Sequence, residues 1–339
     1  MISSINQPEI YDLIIIGAGP AGLSAAEAAK RENLRYLVIE KGLIADTVYH
    51  YPVGLTVFST TNELELREGE LQPAREKPTR EELLTYYVKF VLDEELNLQT
   101  EEEVIEVRKS LVDGDFTVKT TRGKYSAQNL LFTIGIMAHL RHLNVPGEDL
   151  LKVHHRFVEA FPYVRKEAMV IGGGNSAAEA SLFLSEAGAH TTLLIWRSDW
   201  ENRDPKKGAI KAWVREPLEE QIARGRLKVV LFSNVEEITE FSVRVRMEND
   251  ELIEIPNTAV FVLIGSDADL RLLRGLGVDT RPEGLTEVPV YDSGTFETNV
   301  AGVYVAGHFT RARHIKEAIA VPRRIMPFIA QNLRSLNAR

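Results

Sequence analysis

The chain has 339 residues, 44% hydrophobic and 26% charged, with 40 Lys and Arg against 49 Asp and Glu and a formal net charge of −9. That balance describes a globular protein with room for two domains. The negative charge argues against a nucleic-acid footprint, which needs a positive face to release counterions, and no apolar run approaches a membrane span. Cysteine is absent altogether, which suits a cytoplasmic chain and removes every step that needs a thiolate. No secretory leader is expected either, because the apolar run Leu13 to Ile16 is short, follows Asp12 and continues into a glycine turn.

The first element is the buried strand "DLIIIG", which runs into Gly17, Gly19 and Gly22 and the helix "GLSAAEAAKR". Gly17 permits the tight turn, Gly19 lets backbone approach a pyrophosphate, and Gly22 allows helix and strand to pack closely. The anion sits at Ala18, Gly19, Pro20 and Ala21, where the helix N-terminus offers free amides and positive dipole. The next strand, "YLVIEK", ends at Glu40 and Lys41. A carboxylate there accepts hydrogen bonds from a ribose diol and repels a 2′-phosphate, so this site takes FAD or NAD.

Short alternating strands follow, "EVIEVRKS" and "DFTVKTTRG", then a buried strand ending in Thr133, Ile134 and Gly135. The turn-rich "HLNVPGEDL" reads as a crossing into a second nucleotide unit. That unit opens with "AMVIGGGNSAAEASLF", in which Gly172, Gly174 and Ala177 form the fingerprint with alanine in its last place, and Gly173, Asn175, Ser176 and Glu179 complete the turn and helix start. Where the first unit has Glu40, the strand "TTLLIWRS" carries Trp196 and Arg197, with Arg203 close behind. An arginine there can clamp a 2′-phosphate and stack on adenine, so this site reads as NADPH, although a solvated arginine at a strand end is the plainer alternative. The strand "AVFVLIGSDADL" contains Gly265, and "TNVAGVYVAG" ends in Gly307 before a helix that opens near His314.

A site without and a site with a 2′-phosphate are most simply a flavoprotein that moves a hydride from NADPH to FAD. The pairs His139/His142 and His154/His155 lack carboxylate or thiolate company at a metal-binding spacing, so no metal is expected. His308 and His314 flank the expected flavin and are the candidates for a proton relay, against an ordinary structural role.

The layout resembles the thioredoxin-reductase-like flavoproteins, through GAGPAG with Glu40, the strand ending Thr133-Ile134-Gly135, GGGNSA with Trp196-Arg197, and "TNVAGVYVAG". Within them it is most similar to the bacillithiol disulfide reductases, through "VIEKG", "VYHYP", "FSTTNELELRE", "NVPGED", "HHRFVEAFPY" and "IKAWVREP". The resemblance implies an α/β fold with two Rossmann-like dinucleotide-binding domains, a FAD domain from residues 1–148 and 256–339 with an NADPH domain at 149–255 inserted, and a homodimer. It also implies that Tyr49, the backbone of Val104, Gly135, Gly307, His308 and Ile315 join the flavin contacts, with the last helix pointing its N-terminus at the flavin. In thioredoxin reductases electrons leave through a cysteine pair just ahead of the second fingerprint, and in the bacillithiol group a cysteine stands where this chain has Ala21. Neither route exists here. The expected activity is therefore hydride transfer from NADPH to FAD and on to a small-molecule or disulfide acceptor without protein thiols. The alternatives are electron transfer to a ferredoxin- or flavodoxin-like protein, docked on Arg311, Arg313, Arg323 and Arg324, and a non-catalytic flavin and NADPH sensor.

Overall fold

The computed structural model describes residues 10–112, 114–204, 208–310 and 314–337. The chain begins with β1 (Ile10–Ile16), α1 (Pro20–Arg31), β2 (Tyr36–Ile39), α2 (Asp46–Tyr49), α3 (Thr61–Leu64), α4 (Arg80–Asp93), β3 (Leu98–Gln99), β4 (Val104–Lys109), β5 (Phe116–Thr120), β6 (Lys124–Phe132) and β7 (His139–Leu140). It continues through β8 (Val153–His154), β9 (Glu167–Ile171), α5 (Asn175–Ala187), β10 (His190–Ile195), α6 (Arg197–Glu201), α7 (Ala212–Ala223), β11 (Leu227–Leu231), β12 (Asn234–Ile238), β13 (Ser242–Arg246), β14 (Leu252–Pro256), β15 (Ala259–Val262) and β16 (Ser266–Asp267). The last part holds α8 (Arg271–Gly275), β17 (Thr280–Glu283), β18 (Thr286–Pro289), β19 (Val303–Val305) and α9 (Ile315–Asn337).

Two compact units result, residues 1–139 with 267–339, and residues 140–266. The chain thus crosses at 139–140 and 266–267, outside the span 149–255 expected for the inserted domain. The reason is strand pairing: β15 lies parallel to both β9 and β8, so all three belong to the sheet of the second unit. Among the described residues no helix is long and apolar enough to cross a membrane.

In the first unit Leu13 to Ile16 are buried, as befits a central parallel strand covered on both faces. β1 pairs in parallel with β2 on one side and β6 on the other, with Ile16 level with Ile39 and with Phe132. Gly17, Glu40 and Thr133 therefore leave the sheet side by side, at the point where strand order reverses and a crevice opens. The far edge of β6 is shared: β5 pairs antiparallel with its first half and β19 parallel with its last three residues. α1 presents Gly22, Ala25, Ala26 and Ala29 to the core, small enough for close approach, and the buried Ser24 hydroxyl donates to the Ile319 carbonyl of α9 at 2.7 Å.

The second unit repeats the plan with five parallel strands in the order β11-β10-β9-β15-β8 and a separate antiparallel sheet of β12, β13 and β14. β9 again has neighbours on both sides, so Gly172 also emerges at a switch point.

Ser24→Ala is expected to cost about 0.5–1.5 kcal/mol, the net worth of a buried hydrogen bond. Chemical denaturation of the variant checks this, and an unchanged midpoint would show that Ser24 does not tie α9 to α1.

Candidate cofactor sites

Each glycine of the first turn is held for a different reason. Gly17 sits at φ +111°, and a side chain there would meet the Thr133 carbonyl oxygen at 2.7 Å. A side chain at Gly22 would run into the Gly17 carbonyl. Gly19, by contrast, has an ordinary extended backbone and nothing within 4 Å of where a side chain would go. The space in front of it is open, and Gly19 caps α1 without a side-chain hydrogen bond while Pro20 opens the helix without a donor of its own. The free amides of the first turn face outward for an anion.

Glu40 closes the other side of the cradle. Only 8% exposed, it accepts the Ala18 amide on Oε2 and the Gly42 amide on Oε1, both at 2.7 Å. Burial pushes its carboxyl above the ordinary carboxylate range, while the two amide bonds pull it back. Each oxygen keeps a lone pair for a further donor such as a ribose hydroxyl. Thr133 Oγ1 donates to the Ile16 and Gly17 carbonyls at 3.0 and 2.9 Å, locking the turn to β6. Gly135 and Gly307 both have positive φ, and a side chain at Gly307 would approach the Ala21 methyl to 3.2 Å. Ala21 is therefore packed between the glycine turn and the end of β19.

The other residues expected here are spread more widely. Glu102 donates its amide to the Glu40 carbonyl at 2.9 Å, which brings the start of β4 and Val104 to the same edge. Lys41 is exposed beside Glu40, and Ile315 is the half-buried first residue of α9. Tyr49 is 46% exposed on α2 and is held by Arg80, whose guanidinium lies 5.3 Å from its ring and donates to its carbonyl at 2.6 Å. His308 and His314 are both exposed, and His308 lines an open pocket with Ile136, Val288 and Phe309.

Ala45 was not foreseen. Its φ of +54° lets its amide donate to the Ala18 carbonyl at 3.0 Å, fastening the turn from the far side of Glu40. An alanine in left-handed conformation leaves no trace in sequence.

In the second cradle, side chains at Gly172 would meet the Leu263 carbonyl, and Gly174, the N-terminal cap of α5, again faces open space. Ala177 is fully buried, with Ser176 exposed beside it. The Asn175 side chain accepts the Lys211 amide at 2.9 Å, fastening the helix start to the entry of α7. Burial pushes the Glu179 carboxyl up to about 7, against the pull of Lys211. Gly265 has φ +97° and accepts the Arg141 amide at 3.0 Å. Trp196 caps α6, packs tilted against Phe232 with ring centroids 4.7 Å apart, and donates from its indole to the Ser233 carbonyl at 3.3 Å.

The expected arginine clamp is arranged differently from its simplest form. Arg197 grips Glu248 with two nitrogens, Nε at 2.9 Å and Nη2 at 2.6 Å, and Glu201 with Nη1 at 3.0 Å. It is a half-exposed, already neutralised cation. Arg203 donates to the Trp200 carbonyl at 2.6 Å. The Asp199 carboxylate fills the space ahead of Gly173, and burial raises its pKa. Glu201 is the i+4 neighbour on α6, but Glu248 was invisible in sequence because it lies 51 residues away, at the end of another sheet.

Of the four arginines considered for docking a protein, Arg311 and Arg313 lie outside the described residues. Arg323 donates to the Leu66 carbonyl, and Arg324 lies 5.7 Å from the Phe296 ring. The histidines are also corrected. His142 and His155, one from each pair expected to be unaccompanied, converge on Glu148.

A mixed sheet and a parallel one, each with a glycine turn and a helix N-terminus at the switch point of its parallel strands, define an oxidoreductase with two dinucleotide-binding units. The chain belongs to the pyridine nucleotide-disulphide oxidoreductase family, whose sequence pattern matches residues 14–307. It is 35% identical over 304 residues to the bacilliredoxin reductase Bdr of Bacillus subtilis, covering 90% of this chain and 91% of that one. It superposes on the bacillithiol disulfide reductase Bdr of Staphylococcus aureus with a TM-score of 0.88 and 32% identity, over 97% of this chain and 99% of that one. It is also 28% identical over 333 residues to a ferredoxin–NADP reductase of Ignicoccus hospitalis, covering 94% of each. FAD and NADPH are the cofactors of the family, and the chain is a flavin-dependent NADPH oxidoreductase.

Two variants separate fold from binding in the first cradle. Gly17→Ala should destabilise the protein by more than about 1 kcal/mol, the strain of a forced left-handed residue. Gly19→Val should leave the melting of the flavin-free protein nearly unchanged but lower the flavin content of the purified protein. Equal effects of both on flavin-free melting would show that the space before Gly19 is not reserved for a ligand.

Glu179 makes a pH prediction. Its folded pKa of about 7 lies above its ordinary 4.5, so its contribution to stability is full below 4.5 and is lost as pH rises toward 7. Glu179→Gln should flatten the fall in melting temperature across that window, and an unchanged slope would assign it to another group.

Proposed function

We propose that the first cradle holds FAD, the second holds NADPH, and the chain passes reducing equivalents to a small-molecule or disulfide acceptor with no thiol of its own in the relay. The observation that carries this reading is Ala21. In a family whose relatives are disulfide reductases, a packed methyl occupies the turn beside Gly307, and the whole chain contains no cysteine.

Both cradles fit their groups. The open space at Gly19 and the amides of α1 suit a pyrophosphate, and the buried Glu40 carboxylate suits a ribose with free hydroxyls. Gly172, Gly174 and the start of α5 offer the same to NADPH, with Gly173, Asn175 and Ser176 along the turn. When bound, FAD supplies a centre that takes up a hydride and gives electrons away singly or in pairs. The remaining work falls to the protein. Thr133 keeps the turn in register, Gly135 and Gly307 let backbone come close, and the start of α9 at Ile315 turns amides and positive dipole toward negative charge. His308 and His314 are exposed imidazoles suited to carry a proton between solvent and the reacting edge.

For NADPH to be held by its 2′-phosphate, Arg197 must exchange part of its grip on Glu248 for the phosphate. Such charge-assisted bonds are worth about 1.5–3 kcal/mol, or one to two decades in affinity. Trp196 and Arg203 frame the same corner.

The acceptor reading is tested by anaerobic stopped-flow mixing of the NADPH-reduced protein with an acceptor panel: bacillithiol disulfide, other low-molecular-weight disulfides, a quinone and a ferredoxin. Rapid reoxidation by small molecules supports the proposal. Rapid reoxidation by ferredoxin alone selects the electron-transferase reading, which the Ignicoccus relative favours. Failure of NADPH to bleach the flavin leaves a sensor. The resemblance further proposes a cytoplasmic homodimer, and sedimentation of the holoprotein reads the assembly.

Arg197→Ala should raise the KM for NADPH by about one to two decades while leaving NADH nearly untouched. Glu248→Gln should lower the KM for NADPH by freeing the guanidinium. Parallel changes for both nucleotides in steady-state assays would show that Arg197 serves the fold alone.

A further inference from the structure

Outside both cradles, one group of side chains in the second unit has the composition and spacing of a metal centre. His142 lies in the segment entering the unit, Glu148 six residues on in the turn "NVPGED", and His155 directly after β8. One ligating atom from each lies within 4.8 Å of the others. We propose that His142 Nδ1, Glu148 Oε1 and His155 Nε2 bind a divalent transition-metal ion of the Zn2+ class, with a fourth position left for water or another ligand.

The distances favour coordination over plain ion pairing. His142 Nδ1 is 3.4 Å from Glu148 Oε1, and His155 Nε2 is 3.8 Å from the same oxygen. Both exceed the usual 2.7–3.2 Å of an N–H···O bond. They are close to the edge of a tetrahedron around Zn2+, which for ligand bonds of about 2.0–2.1 Å is roughly 3.4 Å. The two imidazole rings lie 4.3 Å apart at 50°, an approach that two cations would resist and a shared metal would reward. Two histidines and one carboxylate with a vacant position are a zinc set of established chemistry.

The carboxylate is preset. Glu148 accepts the Leu143 amide on Oε1 at 2.9 Å and the Asn144 amide on Oε2 at 2.7 Å, and Asn144 takes φ +58° to close that turn. These bonds fix the carboxylate before any ion arrives, and Oε1 retains a lone pair. The exposures run from 52% at His142 through 21% at His155 to 8% at Glu148, leaving an entry path on the His142 side. His155 Nδ1 is buried without a hydrogen-bond partner, which leaves Nε2 as the nitrogen aimed at the cluster.

This site is independent of the cofactor assignments. The test uses the full-length, chelator-treated holoprotein titrated with ZnCl2 by calorimetry, with bound metal counted by mass spectrometry after dialysis. One Zn2+ per chain with saturable binding is expected. Even an outer-shell partner of a metal is worth about 10–100-fold in affinity, so losing a ligand in His142→Ala or in His155→Gln should weaken Zn2+ by more than tenfold. His190→Ala, at an exposed histidine outside the cluster, should not. His142 is exposed, so its truncation leaves the fold intact, and circular dichroism of each variant confirms that. Absence of saturable binding up to millimolar ZnCl2, affinity within tenfold of wild type in either cluster variant, or equal loss in His190→Ala would overturn the proposal.

Discussion

The buried carboxylate of Glu40 is the tie on which the first unit depends. A carboxylate that is 8% exposed at the end of a parallel strand must be satisfied or neutralised, and it is satisfied by two backbone amides, from Ala18 in the glycine turn and Gly42 just beyond the strand. Those bonds hold the turn after β1 against the end of β2, while Thr133 holds it against the end of β6. Three loops from three strands are thereby joined at one crevice. Glu40 keeps lone pairs beyond those two bonds, so in the proposed function one side chain serves both the structure and the ribose.

The second unit has the same strand arrangement and a different charge balance. Its arginine is matched by Glu248 and Glu201, and Asp199 crowds Gly173. In the proposed function a 2′-phosphate must replace one of these charged partners before it gains Arg197.

The missing thiols shape the chemistry more than any residue that is present. Covalent relay needs a nucleophilic sulfur that forms and releases a mixed disulfide. Ala21 packs against the Gly307 turn, where the resemblance places a cysteine in the bacillithiol group, and the proposed function accordingly passes electrons directly between bound groups. His308 is exposed and lines an open pocket with Ile136 and Phe309, which supports the proton-carrying role proposed for it.

Much of this was legible in the chain itself. Period and spacing identified both glycine turns, the acid ending β2 and the arginine ending β10, because each follows from local backbone needs: a left-handed glycine, a close approach, a helix start next to a buried strand. The boundaries of the inserted unit were less accurate, since the pairing of β15 with β9 and with β8 joins segments about a hundred residues apart and carries no local mark. Tertiary structure alone decided who partners whom. It tied Arg197 to Glu248, fastened the first turn through a left-handed Ala45, and drew His142 and His155 onto Glu148. Local sequence determines which backbone shapes are affordable, whereas the placing of charges is set by chain segments that meet only after folding, and that is why the glycine turns could be read in advance and the cluster of His142, Glu148 and His155 could not.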